Sequence, residues 1–292
     1  VGADSIIGGG NDDFLNGGEG SDTYVVTGSQ AAGWASFNGL DTYADSGTTG
    51  TDRILAVGPG DVDIGLTNFS AANGIERIEA AAGTGKVRLV GGYANDSFNF
   101  SQITLVGDNF VIDGNFGNDT ILGSVGGDTI VGGGNDDLLN GGEGGDTYVV
   151  TGNQAAGWAS FNGNDTYADS GTTGTDRILA VGPGDVDIGL TNFSVANGIE
   201  RIEAAAGTGK VRLVGGYGHD SFNFSQITLV GDTFVIDGSY GNDTILGSVG
   251  SDTIIGGGND DRLDGGEGGD TYVVSGNQAG GWASFAGNDT YT

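Results

Sequence analysis

From Gly114 to Val149 an apolar residue returns every nine positions, at Ile121, Ile130, Leu139 and Tyr148, each two places after an aspartate: Asp119, Asp128, Asp137 and Asp146. A glycine-rich turn opens every nonapeptide, as GNFG, GSVG, GGGN and GGEG. That period predicts a turn followed by a short strand, half a coil in nine residues, so that every second turn stacks on the same edge of a β-solenoid. The pattern returns from Gly238 to Val273 around Asp243, Asp252, Asp261 and Asp270, and in truncated form from Val1 to Val25 around Asp4, Asp13 and Asp22. Single copies stand at Gly91–Asn99 and Gly215–Asn223, around Asp96 and Asp220.

Between these blocks the period changes and the strand character stays. Segments such as RILAV, DVDIGL, IERIEA, KVRLV, SFNF, ITLV and FVID follow one another from Arg53, separated by GPG, NG, GTG and GD. Each is too short for a helix, and the alternation of Val62 with Ile64, Val87 with Leu89 and Phe98 with Phe100 predicts strands with one face inward. They read as further solenoid rungs with less regular turns. The segment QAAGWASFNG, carrying Trp34, Trp158 or Trp282, breaks this pattern once per repeat.

The chain is also repetitive on a longer scale. Residues 1–124 differ from 125–248 at 13 positions, and 249–292 begin a third copy. The copies meet inside a glycine-rich block, where no linker interrupts the nine-residue register, so they are expected to share a continuous solenoid. A chain that starts inside a repeat is expected to be a piece of something longer.

Charge then decides what the turns do. Asp and Glu number 39 against 9 Lys and Arg, for a net charge of −30. Acidic turns stacked at strand spacing repel one another unless a cation lies between them. A hard divalent cation taking six to eight oxygens fits, because each turn offers a carboxylate together with backbone carbonyls that glycine leaves unshielded. If each coil takes two nonapeptides, the cation is clamped between turns eighteen residues apart, pairing Asp119 with Asp137, Asp128 with Asp146, Asp243 with Asp261, Asp252 with Asp270 and Asp4 with Asp22. Register alone thus predicts five sites or more, with Asp13 partnered upstream or by Asp41. The acidity argues against nucleic acid and anionic lipid as partners. No run of eighteen apolar residues predicts membrane insertion, and with no cysteine the metal is the only visible cross-link.

The nonapeptides resemble the RTX, or haemolysin-type, calcium-binding repeat G-G-x-G-x-D-x-U-x. The order DTYVV, GTTGTDRIL, NGIERIEA resembles the spacer between such blocks. The resemblance implies an all-β, calcium-stabilised parallel β-roll, with calcium blocks at 1–26, 114–150 and 238–274, spacer solenoids at 27–113 and 151–237, and the start of another spacer at 275–292. It implies Ca2+ as the ion, metal ligation by Asp4, Asp13, Asp22, Asp96, Asp119, Asp128, Asp137, Asp146, Asp220, Asp243, Asp252, Asp261 and Asp270, and export to the extracellular space or cell surface by a type I-like route. Some turns depart from the pattern. Asn11, Asn135 and Asn259 replace the fourth-position glycine and Asn115 and Ser124 the second; asparagine tolerates a left-handed backbone, whereas Ala94, at a fourth position, does not.

Other candidates carry less chemistry. Asp61 and Asp63 read as a solvated strand face before they read as a carboxylate pair for glycoside cleavage. Arg53, Arg77, Lys86 and Arg88 pair within the solenoid with Glu76, Glu79 and Asp52, or grip an acidic polysaccharide. The tryptophan segments offer packing, contact with another chain, or a sugar platform. His219 replaces Asn95 of the first copy and is a surface position. No H-E-x-x-H or G-x-S-x-G motif is present. Near-identical copies favour a structural array that self-associates end to end or laterally (rod, fibre, S-layer or adhesin stalk) over an enzyme. The alternatives are a folding and secretion module appended to an enzyme, and a polysaccharide-binding or polysaccharide-modifying solenoid. Folding is expected to require calcium, and acid is expected to act as a chelator does.

Overall fold

The computed structural model describes residues 2–28, 39–152, 163–231, 234–274 and 289–292. Trp34, Trp158 and Trp282 lie outside the described residues, and so do the expectations placed on them. The chain forms two compact units, one of Val1–Gly134, Leu139–Asp146 and Gly171–Gly174, the other of Asn135–Leu138, Thr147–Ser170 and Thr175–Thr292.

Both are built from short parallel strands. In the first unit Ser5–Ile6, Thr23–Thr27, Arg53–Val57, Arg77–Ala80 and Thr104–Val106 lie side by side in that order. Val62–Gly65, Val87–Val90, Phe110–Asp113 and Thr129–Val131 form another parallel series. The second unit repeats the plan with Thr147–Thr151, Arg177–Val181, Arg201–Ala204 and Thr228–Val230, and with Asn164–Tyr167, Val186–Leu190, Val211–Val214, Phe234–Asp237, Thr253–Ile255 and Thr271–Tyr272. Among the described residues there is no α-helix, and none is long and apolar enough to cross a membrane. A parallel β-roll is therefore the fold.

Register shows how long each coil is. Within the nonapeptide blocks partners are eighteen residues apart: Ser5 faces Thr23, Ile112 faces Ile130, Ile236 faces Ile254 and Thr244 faces Arg262. In the spacer the step lengthens, to 30 from Thr23 to Arg53, 24 from Arg53 to Arg77 and 25 from Val62 to Val87. The additional residues sit in turns, one of them a 3-10 turn at Ala71–Asn73 boxed by Ser70 and Asn73.

Inward positions are those the alternation predicts. Ile54, Ala56, Val62, Ile64, Val87 and Leu89 are fully buried, while Arg53, Leu55 and Val57 are half-buried. Aromatic rings run through each core, Tyr24 edge-on to Tyr43 at 5.5 Å, Tyr43 to Phe69 at 6.4 Å, and Phe69 beside Phe100 at 5.6 Å. Tyr148, Tyr167, Phe193 and Phe224 repeat the column in the second unit. Burial of such rings supplies apolar area that the glycine turns cannot.

Ile188 has no exposed surface, so Ile188→Ala should cost about 2–5 kcal/mol in calcium-loaded protein, measured by denaturant unfolding. Val125 is 72% exposed, and Val125→Ala should stay within about 0.5 kcal/mol.

Candidate metal centre

Each nonapeptide aspartate immediately precedes a strand, and most donate their own backbone N–H to the carboxylate of the acid one coil further on. Asp4 donates to Asp22 Oδ1 at 2.7 Å, Asp128 to Asp146 at 2.7 Å, Asp243 to Asp261 at 2.9 Å and Asp252 to Asp270 at 3.0 Å. These are four of the pairs that the eighteen-residue register predicts. Asp13 donates to Asp41 at 3.0 Å, the downstream of the two partners expected for it. Asp96 donates to Asp119 and Asp220 to Asp243, which joins the single copies to the blocks.

The ladder does not stop at the nonapeptides. Asp22 donates to Asp52 at 2.6 Å and Asp52 to Glu76 at 2.7 Å, while Asp137 donates to Asp165 and Asp261 to Asp289. Asp41, Asp52, Glu76, Asp165 and Asp289 were absent from the candidates that the glycine motif picks out. A shorter signal marks them: DTY recurs at Asp22 and Asp41, at Asp146 and Asp165, and at Asp270 and Asp289, and Asp52 and Glu76 each stand two places before an inward isoleucine.

The turns divide into two kinds. In the first, the second and fourth positions both have positive φ, as at Gly18 and Gly20, Asn115 and Gly117, Ser239 and Gly241, and Gly257 and Asn259. Asn11 and Asn135 take the same conformation, as expected of asparagine. In the second kind neither position is left-handed, and the aspartate folds back on its own turn. Gly92 N–H donates to Asp96 Oδ2 at 2.7 Å, Ser124 N–H to Asp128 at 2.6 Å, Gly216 N–H to Asp220 at 2.8 Å and Ser248 N–H to Asp252 at 2.7 Å. Ala94 belongs to this kind, so its turn forms without the left-handed backbone that the motif suggests.

The first kind leaves a carboxylate oxygen over. Oδ2 of Asp13, Asp22, Asp243 and Asp261 is shut off from solvent and has no hydrogen-bond partner. A buried anionic oxygen left this way is costly unless a cation meets it. The first-position glycine makes the space: a Cβ on Gly17 would overlap the Asp22 carboxylate, and one on Gly238 would overlap both Asp243 Oδ2 and the Gly256 carbonyl. Carboxylate and carbonyl oxygens with no nitrogen or sulfur donor suit a hard cation such as calcium. The residues present therefore fit the ion, with Asp13, Asp243 and Asp261 as the clearest holders between nonapeptide turns.

The family described as RTX calcium-binding nonapeptide repeat (4 copies) matches residues 1–24, 113–148 and 237–272. The chain carries RTX calcium-binding nonapeptide repeats in three blocks. No curated protein matches it. The RTX matches fall on turns whose glycines abut an aspartate, and the carboxylate ladder runs on into the spacer beyond them.

Burial sets the acidity of these groups. It raises Asp243 to about 7, against the Asp220 N–H that lowers it, with the charges of Asp261 and Asp220 adding. Burial likewise raises Asp119 and Asp128 to about 6, and raises Asp165 to about 8 with help from Asp137. All four lie above the ordinary carboxylate value of about 4. Without metal, the folded chain thus binds more protons than the unfolded chain between pH of about 4 and 8. Its stability is fullest below that window and is lost as pH rises through it. Acid therefore differs from a chelator: it releases calcium, but it also removes the repulsion that a chelator exposes.

Two outcomes follow. Asp243→Asn and Asp261→Asn should each weaken calcium binding at least tenfold by calorimetric titration, whereas Asp252→Asn, whose carboxylate is already bound by Ser248, should change it less than threefold. In chelator any β-sheet circular dichroism present at pH 5 should be lost as pH rises to 8, and in millimolar calcium the melting temperature should rise over the same range; a loss of stability with rising pH in calcium as well would contradict the metal assignment.

Proposed function

We propose that this RTX repeat protein is a scaffold: a secreted or surface-attached structural segment, of the rod, fibre, S-layer or adhesin-stalk kind, whose folding depends on calcium. The observation that carries the reading is the coil-to-coil carboxylate ladder, which recurs 124 residues on with Asp128 and Asp252 closed by Ser124 and Ser248 alike. A machine for chemistry needs one constellation, whereas a scaffold gains from copying every rung.

The groups that could have served chemistry have structural partners. Arg88 binds Asp63 at 2.7 Å and Asp113 at 3.4 Å, and Asp61 accepts the Lys86 backbone N–H at 2.8 Å. Arg53 and Arg77 both reach Glu79, while Glu76 and Asp52 serve the ladder. Arg177, Arg201 and Arg212 repeat these pairings with Glu203, Asp187 and Asp237. Strand-facing arginines are thus committed within the fold, which weakens the case for an acidic polysaccharide held by them. Glycan contact keeps one support, the exposed stacked pairs Tyr93 with Phe116 and Tyr217 with Tyr240, since flat aromatic surfaces suit sugar rings. Secretion is the usual context of RTX repeats, and a role as a folding module beside an enzyme is the competing reading.

Chelator should abolish the β-sheet circular dichroism and enlarge the hydrodynamic radius, and millimolar calcium should reverse both. Electron micrographs of calcium-loaded chains with increasing numbers of units should show particles whose length grows with copy number. Compact particles of constant outline would count against the scaffold and for the appended module.

A further inference from the structure

We infer that Asp22, Asp45 and Asp52 form an additional cation site, distinct from the turn-to-turn sites of the nonapeptides, which ties the last turn of the first block to the spacer. It rests on the calcium-dependent reading above. Asp22 closes the nonapeptide Gly17–Val25, whereas Asp45 and Asp52 belong to the spacer stretch DTYADSGTTGTDRIL. Each offers a carboxylate oxygen within 4.8 Å of the other two. All three side chains are buried, Asp22 at 0%, Asp45 at 9% and Asp52 at 4% exposure.

Their other contacts fix them in place without neutralising them. Asp22 Oδ1 accepts from Asp4 N–H and Asp52 Oδ1 from Asp22 N–H. Asp45 Oδ1 accepts from Gly47 N–H at 2.7 Å and Oδ2 from the Tyr24 hydroxyl at 2.6 Å. Asp22 Oδ2 is left buried with no hydrogen-bond partner. Among the described residues no basic side chain forms an ion pair with any of the three, and Arg53, next in sequence to Asp52, turns instead to Thr23 and Glu79. Three enclosed carboxylates with no counter-charge call for a cation.

The spacing suits a calcium ion. Oxygens bound at about 2.3–2.6 Å to one ion lie no more than about 5.2 Å apart, so three within 4.8 Å can share it. Oxygen-only donors exclude a preference for softer metals. The location also has a purpose, because the step from Thr23 to Arg53 is 30 residues, against eighteen within the blocks. Closing a longer loop costs more entropy, and a cation shared by Asp22 and Asp52 closes it. Calcium would then order the spacer as well as the glycine block.

Crystals of the 292-residue chain grown in calcium test this by anomalous scattering. A peak within about 2.6 Å of a carboxylate oxygen from each of Asp22, Asp45 and Asp52 is expected. Loaded nonapeptide turns beside a metal-free cluster would overturn this site alone, while an absence of metal everywhere would overturn the calcium reading on which it rests. In solution, Asp45→Asn should lower the bound calcium by one ion per chain in equilibrium dialysis while retaining the calcium-loaded β-sheet spectrum; an unchanged count would overturn the site. Should that variant fail to fold, Asp52→Asn serves in its place, read by the same count. If instead the cluster holds a shared proton, Asp52→Asn would raise metal-free stability with the calcium count unchanged, which also overturns the proposal.

Discussion

The stacking of one carboxylate per coil is the constraint on which the rest depends. Parallel strands place successive acids about 4.8 Å apart, and two unit charges at that distance near a protein surface repel by roughly 3 kcal/mol. The N–H that each aspartate donates to the next carboxylate, as from Asp243 to Asp261, returns about 1.5–3 kcal/mol. Each repelling pair shares one such bond, so the hydrogen bonds at best balance the repulsion and leave no surplus. A cation between the turns would supply the missing counter-charge, and its binding free energy would then add to that of folding.

Glycine at the first position follows from that constraint. It is there because the aspartate five residues later turns its Oδ2 into the space a Cβ would take, as at Gly17 and Gly238. The serine of GSVG has the opposite consequence, unlike Ser239 of GSYG: its backbone N–H and hydroxyl occupy the carboxylate of Asp128 or Asp252. The block from Gly238 to Val273 looks uniform, yet it holds turns with an oxygen to spare at Asp243 and Asp261 and one that satisfies itself at Asp252.

The spacer solves the same problem with other means. It keeps an acid at the entrance to the strands that begin at Thr42, Arg53, Val62 and Arg77, and supplies arginines on the outer faces and aromatic rings within. Tyr24 links these layers, packing against Tyr43 inside while its hydroxyl holds Asp45 at the edge. His219 shows that the edge tolerates exchange where the contact survives, since its Nδ1 accepts from Asn242 N–H as Asn95 Oδ1 accepts from Asn118 N–H.

The nine-residue period by itself determined the parallel β-roll, the eighteen-residue coil and the pairing of Asp4 with Asp22, Asp128 with Asp146, Asp243 with Asp261 and Asp252 with Asp270, because backbone geometry ties period to coil. Alternation likewise placed Val62, Ile64, Val87 and Leu89 inside. What period cannot convey is how coils of unequal length close. Only the tertiary structure brought Asp45 and Asp52 to Asp22, across steps of 23 and 30 residues, and carried Asp41 round to Asp13 where the sequence left that open, because those contacts depend on where spacer turns return to the edge. It also separated the two kinds of turn, since whether Oδ2 meets a backbone N–H or is left for a cation depends on the φ of the second residue, and Gly92 and Gly18 share one letter but not one conformation.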